Sequence, residues 1–431
     1  MLHGTALLVL IGWILWLSTV CDRARDVTPN WRRWTHIQWA AGAAFVLASP
    51  SWPFTLLYLS LCAAYWLPWV EAKSGALNDW FIKVFLFGGF YVAAMPRMEA
   101  WMLPWLLLFV LICGSSVAFW IAMVKWRGPR YALRILGWEY PCWEMWPDRD
   151  EPTPGGFNCH GRMMNPVHAG AWGSICVFAS LGLGAMWHPA WTATAAIGAF
   201  ILWGSGSRGG ALNMAAGGLA WALAGGPYAD WVWLGVFLCA ALASYRKVRD
   251  WSWAGNLSSW RFQVWWDSVR LCLGNPFRAW ESAMFWLIGT GPFGWQDIAE
   301  KHLRKYGERS WLSPHNEYVH ILCEHGLLGL AASVIFIGWT LEPAWRSGSE
   351  AGAAYLGVAG ALLATAAWSF PWRGTALIEG ATGRFMDTGA IRTADGKEKK
   401  VLVPEIQYGS AGAPIFTWLT AVWAVLGPHM G

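Results

Sequence analysis

Charge is what this sequence has least of. Asp, Glu, Lys and Arg make up 13% of its 431 residues, about half the share usual in soluble domains. Hydrophobic residues make up 56%, and the mean hydropathy is +0.34. That scarcity excludes an ordinary soluble protein of this length. Apolar runs recur from the first residues to the last, so the chain reads as a polytopic membrane protein. Other absences narrow the chemistry. The glycine-rich turn from Gly204 to Gly210 (GSGSRGG) lacks the Gly-Lys-Ser/Thr ending of a nucleotide-binding loop. No Asp-rich cluster suggests a metal-assisted enzyme acting on nucleotide sugars. Cys142, Cys159, His160 and His168 do not fall at zinc-site spacings. We therefore expect no metal and no cofactor. A net charge of +5 is modest, and no nucleic-acid partner is expected. The first apolar run, near residues 6–20, lacks a basic leader and a small-residue cleavage site, so it reads as a retained helix.

What is abundant is tryptophan, with 38 residues. Several stand at span ends, where an amphipathic ring suits the headgroup level; a compositional bias towards tryptophan accounts for them equally well. Nine cysteines are scattered, mostly within apolar runs, where they act as small apolar side chains. Only Cys142 and Cys159 share a polar loop, where a disulfide is possible outside the cytoplasm.

Hydropathy predicts an all-α transmembrane bundle of about 12 spans, a single integral membrane domain over residues 1–431. The spans fall near 5–20, 37–50, 53–70, 80–95, 101–123, 167–186, 190–205, 210–225, 231–245, 319–341, 351–369 and 414–427. Three long polar loops separate them: 125–165, 246–314 and 370–414. Even numbers of spans lie between these loops, so all three fall on one face, together with the 204–210 turn. The first two loops are rich in Trp and Arg and suggest interfacial helices. Around 258–272, Phe262, Trp265, Trp266, Val269 and Cys272 form an apolar stripe, with Gln263, Asp267 and Arg270 opposite. The third loop has spaced glycines and a charged run, the pattern of a hairpin-like insertion.

The stretch that organises the rest is Ser313 to Gly329 (SPHNEYVHILCEHGLLG), where the second loop runs into a span. Ser313 as cap and Pro314 at the first helical position predict a helix start there, with His315 and Asn316 in the first turn. A helix N-terminus suits an anion such as phosphate and disfavours imidazolium, which keeps a histidine available as a base.

His315-Asn316, nine residues, Gly326, two residues and Gly329 form the pattern H-N-x9-G-x-x-G. In this setting it resembles the O-antigen ligase and O-antigen polymerase family of bacterial membrane glycosyltransferases. Ser207-Arg208-Gly209 looks like the family's Ser-Arg-Gly turn, Arg261 like its loop arginine before a tryptophan, and Gly289 to Phe293 (GTGPF) like its glycine-rich segment. Asn165-Pro166 is similar to the start of the family's Asn-Pro-Asn motif, from which Val167 departs. The resemblance implies transfer of a glycan from a polyprenyl-diphosphate carrier to a hydroxyl acceptor, which in the family is a lipid, another lipid-linked glycan or a protein. The reaction would serve lipopolysaccharide or other surface polysaccharide assembly at the bacterial cytoplasmic membrane. It implies Arg208 and Arg261 on the diphosphate, His315 activating the acceptor, and Asn316 and Asn165 as substrate-binding residues. It also places the active face outside the cytoplasm. The positive-inside rule points the other way, because most of the 31 Lys and Arg fall on the loop-bearing face.

Plainer readings stand beside these. Arg208 would serve as a headgroup anchor, Arg261 as a solvated helix residue with Arg270 and Arg278 as rivals, and His315 as a helix-end residue. His320 and His325 read as helix-face residues beyond the reaction centre. Glu324 suggests a partner among the loop arginines, and Gly326 and Gly329 suggest close helix packing. From another class, the rival is a transporter or channel, which would concentrate ionisable residues and broken helices at the midplane.

Overall fold

Long apolar segments in lipid can satisfy their backbone groups internally only by coiling. A computed structural model of the chain describes residues 48–49, 51–65, 88–89, 91–127, 132–135, 138–141, 166–249, 261–273, 286–291, 295, 314–368, 385–392, 398–404, 419–420 and 422–431. Its principal helices are α1 (Trp52–Tyr65), α2 (Leu103–Arg127), α3 (Pro166–Met186), α4 (Ala195–Ser205), α5 (Arg208–Leu223), α6 (Ala229–Arg249), α7 (Arg261–Leu273), α8 (Glu317–Ser347) and α9 (Glu350–Trp368). Among the described residues, four stretches are long and apolar enough to cross a membrane: Ala100–Phe119, His168–Met186, Glu317–Ser347 and Glu350–Ala367. They support a helical membrane protein. The span expected near 5–20, nearly all of that near 37–50, and parts of those near 80–95 and 414–427 lie outside the described residues.

The bundle is organised around α3, which packs against α2, α4, α5 and α9. Trp172, Ile175, Cys176, Phe178 and Ala179 on it are fully buried, so this helix is enclosed on all sides. Close packing of spans in lipid depends on small residues that let backbones approach. Gly170 and Gly210 do this where α3 meets α5: a Cβ on Gly210 would stand 2.8 Å from the Gly170 Cα. Ser174 Oγ donates to the Gly210 carbonyl at 2.9 Å, tying the same crossing with a hydrogen bond. Farther along α5, a Cβ on Gly217 would stand 2.7 Å from the Gly357 carbonyl oxygen of α9. On the α9 side, Tyr355 and Trp423 stack. The Tyr355 hydroxyl donates to the Trp423 carbonyl, and the Trp423 indole donates back to the Tyr355 carbonyl. A second, smaller core joins α1 to α8 through Phe54, Tyr91 and Phe336.

Two short hairpins lie in the polar loops. Strands β1 (Ala132–Ile135) and β2 (Trp138–Pro141) pair antiparallel, with Ile135 opposite Trp138. Strands β3 (Phe385–Arg392) and β4 (Glu398–Pro404) pair likewise, with a register shift between Asp387 and Ala390. The third loop thus holds the hairpin that its glycine spacing suggests. The first loop holds one where interfacial helices were expected.

Overpacking a tight helix crossing typically costs about 1–3 kcal/mol. Gly217→Ala is expected to lower the thermal unfolding midpoint of the detergent-solubilised protein. Gly235→Ala on α6, where a Cβ meets nothing within 4 Å, leaves it unchanged. Equal midpoints for the two variants would mean that the α5–α9 approach does not limit stability.

Candidate functional site

The Ser-Arg-Gly turn is a helix start. Gly206 closes α4 in the left-handed region at φ 57°. Ser207 then caps α5: its Oγ accepts from the Gly210 N–H at 3.1 Å. Arg208 is therefore the first residue of α5, on an exposed position at the end of the bundle. The Gly170–Gly210 approach brings this turn against the first turn of α3, which carries the buried His168.

Helix α7 supplies Arg261 as its first residue, and this guanidinium is partly buried. Val264 and Ser268, one turn apart, are buried, while Phe262 and Trp266 are 56% and 65% exposed. The expected apolar stripe is thus divided. Phe262 and Trp266 face outward, as interfacial aromatics do, and the protein contact is made by the narrower Val264–Ser268 edge. Trp265 Nε1 donates to the Pro314 carbonyl at 2.7 Å, fixing α7 to the segment that carries His315. Burial first, and then the Arg208 guanidinium, lower the Arg261 pKa, which puts the two cations in each other's field.

The helix bearing the His-Asn motif does not start where Ser313 and Pro314 suggested. Asn316 is the cap, with its Oδ1 accepting from the Val319 N–H at 3.1 Å, and α8 begins at Glu317. The physical reason is local. Asparagine is among the strongest capping residues, and His315 before it turns the chain at φ 52°, a left-handed conformation that a helical first turn cannot contain. His315 is therefore held just outside the helix. Burial pushes its pKa down to about 3, with further contributions from Arg261, His168 and His320. The imidazole is neutral at physiological pH. The cause differs from the helix field expected from sequence: desolvation comes first and neighbouring positive groups second.

Gly326 breaks α8. Its φ of 63° and ψ of −165° are open to glycine and to almost nothing else. The break leaves carbonyls at the end of the first half-helix without intrahelical donors, and the Gly289-Thr290-Gly291 turn supplies them. Thr290 N–H donates to the Cys323 carbonyl and Gly291 N–H to the Glu324 carbonyl, both at 2.9 Å; Thr290 Oγ1 adds a bond to Cys323 at 3.0 Å. A Cβ on Gly326 would also stand 2.6 Å from the Gly289 nitrogen. Gly326 was read as a helix-packing residue; its role is to terminate a half-helix on a glycine loop. The two glycine-bearing segments are halves of one unit.

The interior beyond His315 also departs from expectation. His320 and Glu324 are 4% and 0% exposed, with His320 Nε2 and Glu324 Oε1 3.1 Å apart. Glu324 was expected to meet a loop arginine, and the structure sets a histidine of its own helix against it. His325, read with His320 as a helix-face residue, is also buried. The signal that could have found the pair is the i, i+4 spacing of a base and an acid inside an apolar run, where an ionisable group needs a partner.

The fields of Arg261, His168 and His320 thus meet at His315, and that of Arg208 reaches Arg261. Asn316 is spent on capping through its side-chain oxygen. Asn165, Cys142, Cys159, His160 and Arg278 lie outside the described residues. Among the described residues, no group of three or more His, Cys, Asp or Glu is arranged to hold a metal ion. The chain matches no family model and no curated protein.

The left-handed break makes a local prediction. Forcing such a conformation on a residue with a Cβ costs about 1–3 kcal/mol. Gly326→Ala is expected to destabilise the protein by that amount and to loosen the 289–291 turn, read as faster amide exchange at Thr290 and Gly291. Gly338→Ala, in open space on the same helix, leaves both unchanged. Unaltered exchange in Gly326→Ala would separate the break from the turn.

Proposed function

We propose that this chain is a bacterial inner-membrane glycosyltransferase of the O-antigen ligase/polymerase type, with about twelve spans. In this reading it moves a glycan from a polyprenyl-diphosphate carrier to a hydroxyl of a lipid or glycan acceptor, on the extracytoplasmic face. The observation that carries the reading is the pairing of two mutually repelling arginines with a half-buried, neutral histidine at one end of the bundle. Like charges held in each other's field raise the energy of the empty site. A bound diphosphate relieves that repulsion, and arginine's planar fork suits its oxygens. The reaction then needs a group to take the acceptor proton, and a neutral imidazole has the required lone pair. The hydroxyl oxygen attacks the anomeric carbon, the bond to the phosphate oxygen breaks, and the leaving electron pair settles between Arg208 and Arg261. No step calls for a metal.

A low free-enzyme pKa fixes the sign of the pH dependence. His315 is protonated only below about pH 3, so kcat/KM, which reports the free enzyme, is expected to show no histidine limb through the neutral range. A bound diphosphate brings negative charge and raises the His315 pKa, so the acid limb in kcat lies at higher pH than that in kcat/KM. His315→Asn is the cleaner variant, because asparagine tolerates the left-handed backbone. It is expected to slow single-turnover transfer by ~10²–10⁴-fold with donor affinity retained. Near-normal transfer by His315→Asn would remove the imidazole from the mechanism.

The arginines are tested against each other. Arg208→Lys keeps the charge and loses the fork, so severe loss of transfer is expected with expression retained. Arg270→Lys, on the exposed side of α7, is expected to be mild. Purified protein, a lipid-diphosphate glycan and a hydroxyl acceptor are the components of the assay. Equal losses at the two positions would transfer the role from a specific arginine to bulk loop charge.

A further inference from the structure

The groups around the first turns of α8 leave one buried pair that the proposed reaction does not use. His320 Nε2 faces Glu324 Oε1 at 3.1 Å, and both side chains are almost wholly enclosed. The other ring nitrogen, Nδ1, is buried and has no hydrogen-bond partner among the described residues. A carboxylate against one imidazole nitrogen holds the N–H there and leaves the lone pair on the other, as in carboxylate-supported catalytic histidines.

The pair is held firmly at both ends. Trp295 stands edge-on to the His320 ring, with centroids 5.8 Å apart, and its Nε1 donates to Ser268 Oγ at 2.9 Å. The Glu324 carbonyl is fixed by the Gly291 N–H, immediately before the Gly326 break. The same loop that ends the half-helix therefore fixes the backbone from which the carboxylate extends. The pair is also close to the candidate site. His320 follows the Asn316 cap by one turn, with its N–H on the Asn316 carbonyl at 3.0 Å, and its ring contributes to the field at His315.

We infer that the His320–Glu324 pair is the onward proton acceptor for this site, receiving through His315 the proton of the attacking hydroxyl. The inference rests on the proposed transfer reaction and deepens it. The acceptor O–H gives its proton to His315 as the new glycosidic C–O bond forms and the C–O bond to phosphate breaks. His315 releases a proton from its other nitrogen to His320 Nδ1, directly or across a water, and Glu324 offsets the charge through Nε2. His315 returns to the neutral form that its desolvated position beside the Arg261 guanidinium favours. The leaving diphosphate carries the bonding electron pair, so charge and atoms balance. His320 and Glu324 act through His315 and are relay and positioning residues.

The charged and titratable groups on the elements packed around this pair are few. Among the described residues they are Arg261, Asp267 and Arg270 on α7, and Glu317, Tyr318, Cys323 and His325 on α8 itself. The other elements packed on α8 add Glu350 and Tyr355 on α9 and His429 near the C-terminus. His168 and Arg208 complete the groups of the candidate site. Helix α1, packed on the same helix farther along, brings no charged residue.

The test uses full-length protein in detergent or nanodiscs, with single-turnover transfer and donor affinity measured separately. Glu324→Gln and His320→Gln are each expected to slow single turnover by on the order of 10²-fold with donor affinity within about twofold of wild type. The double variant is expected to be no slower than the worse single one, because members of one relay do not act additively. A proton inventory in mixed H2O/D2O gives a readout that packing damage does not move. It is expected to be bowed in the wild type, where two protons are in flight, and linear in His320→Gln. Single-turnover rates near wild type in both variants would overturn the relay. So would slow rates with unchanged curvature, or donor affinity falling in step with rate, since either marks a structural role. Wild-type protein that transfers nothing from a lipid diphosphate would instead overturn the glycosyltransferase reading, and the relay with it.

Discussion

The structure around the candidate site depends on one exchange of backbone hydrogen bonds. Gly326 interrupts α8, and two carbonyls that the helix can no longer satisfy are taken up by Thr290 and Gly291. A buried carbonyl without a donor costs roughly 1–3 kcal/mol, and more in lipid. The glycine loop is therefore bound to the break as firmly as one half-helix is to another. That coupling sets where Glu324 sits and where the His320 ring is held. Through Ser268 and Trp295 it also reaches the edge of α7 that faces α8. Each of these placements follows from a helix that stops early.

Two different kinds of packing divide the work. The α3-centred bundle is built from glycines and small residues at helix crossings, and it is stiff because its backbones touch. It presents Arg208 and His168 from helices fixed deep in the core. The α7 helix and the His315 segment are joined by directed bonds, among them Trp265 Nε1 to the Pro314 carbonyl. The proposed diphosphate position lies between a stiff wall and a tethered one. In such a site, the capped and packed α5 fixes the backbone from which Arg208 extends, while Arg261 is partly buried at the start of α7. In the proposed reaction, the diphosphate of the donor supplies the opposite charge that relieves the repulsion between the two arginines.

Much of this was legible in the sequence, and the gaps have physical reasons. Apolar run lengths locate α2, α3, α8 and α9, because lipid allows such runs one conformation. The third-loop hairpin follows from its glycine spacing. The site motifs could be read as a set, but their mechanics could not. Capping competition between Ser313 and Asn316 depends on the left-handed turn at His315, and a residue list does not encode that angle. Gly326 looked like one more small residue, since periodicity cannot tell a packing glycine from a helix-breaking one. The burial of Val264 and Ser268 in place of the aromatic stripe has the same origin. In a membrane protein the most apolar face can be the one turned outward, so amphipathicity alone does not say which side meets protein.

The order of His315 and Asn316 follows from these constraints. The capping position needs a short side-chain acceptor that reaches the Val319 N–H, and asparagine provides one. The residue before it must accept a positive φ, point away from the helix and sit in a desolvated pocket beside a guanidinium. Histidine tolerates that conformation better than branched side chains do, and its neutral ring tolerates the burial. Exchanging the two would put an imidazole where the helix needs a compact acceptor, and an amide where the proposed chemistry needs a lone pair. Ten residues later, Gly326 ends the half-helix that Asn316 began. The length between cap and break is what brings Glu324 onto the loop and His320 between Glu324 and the His315 segment. The spacing of the motif is thus the length of a half-helix, set at one end by a side-chain cap and at the other by a glycine angle.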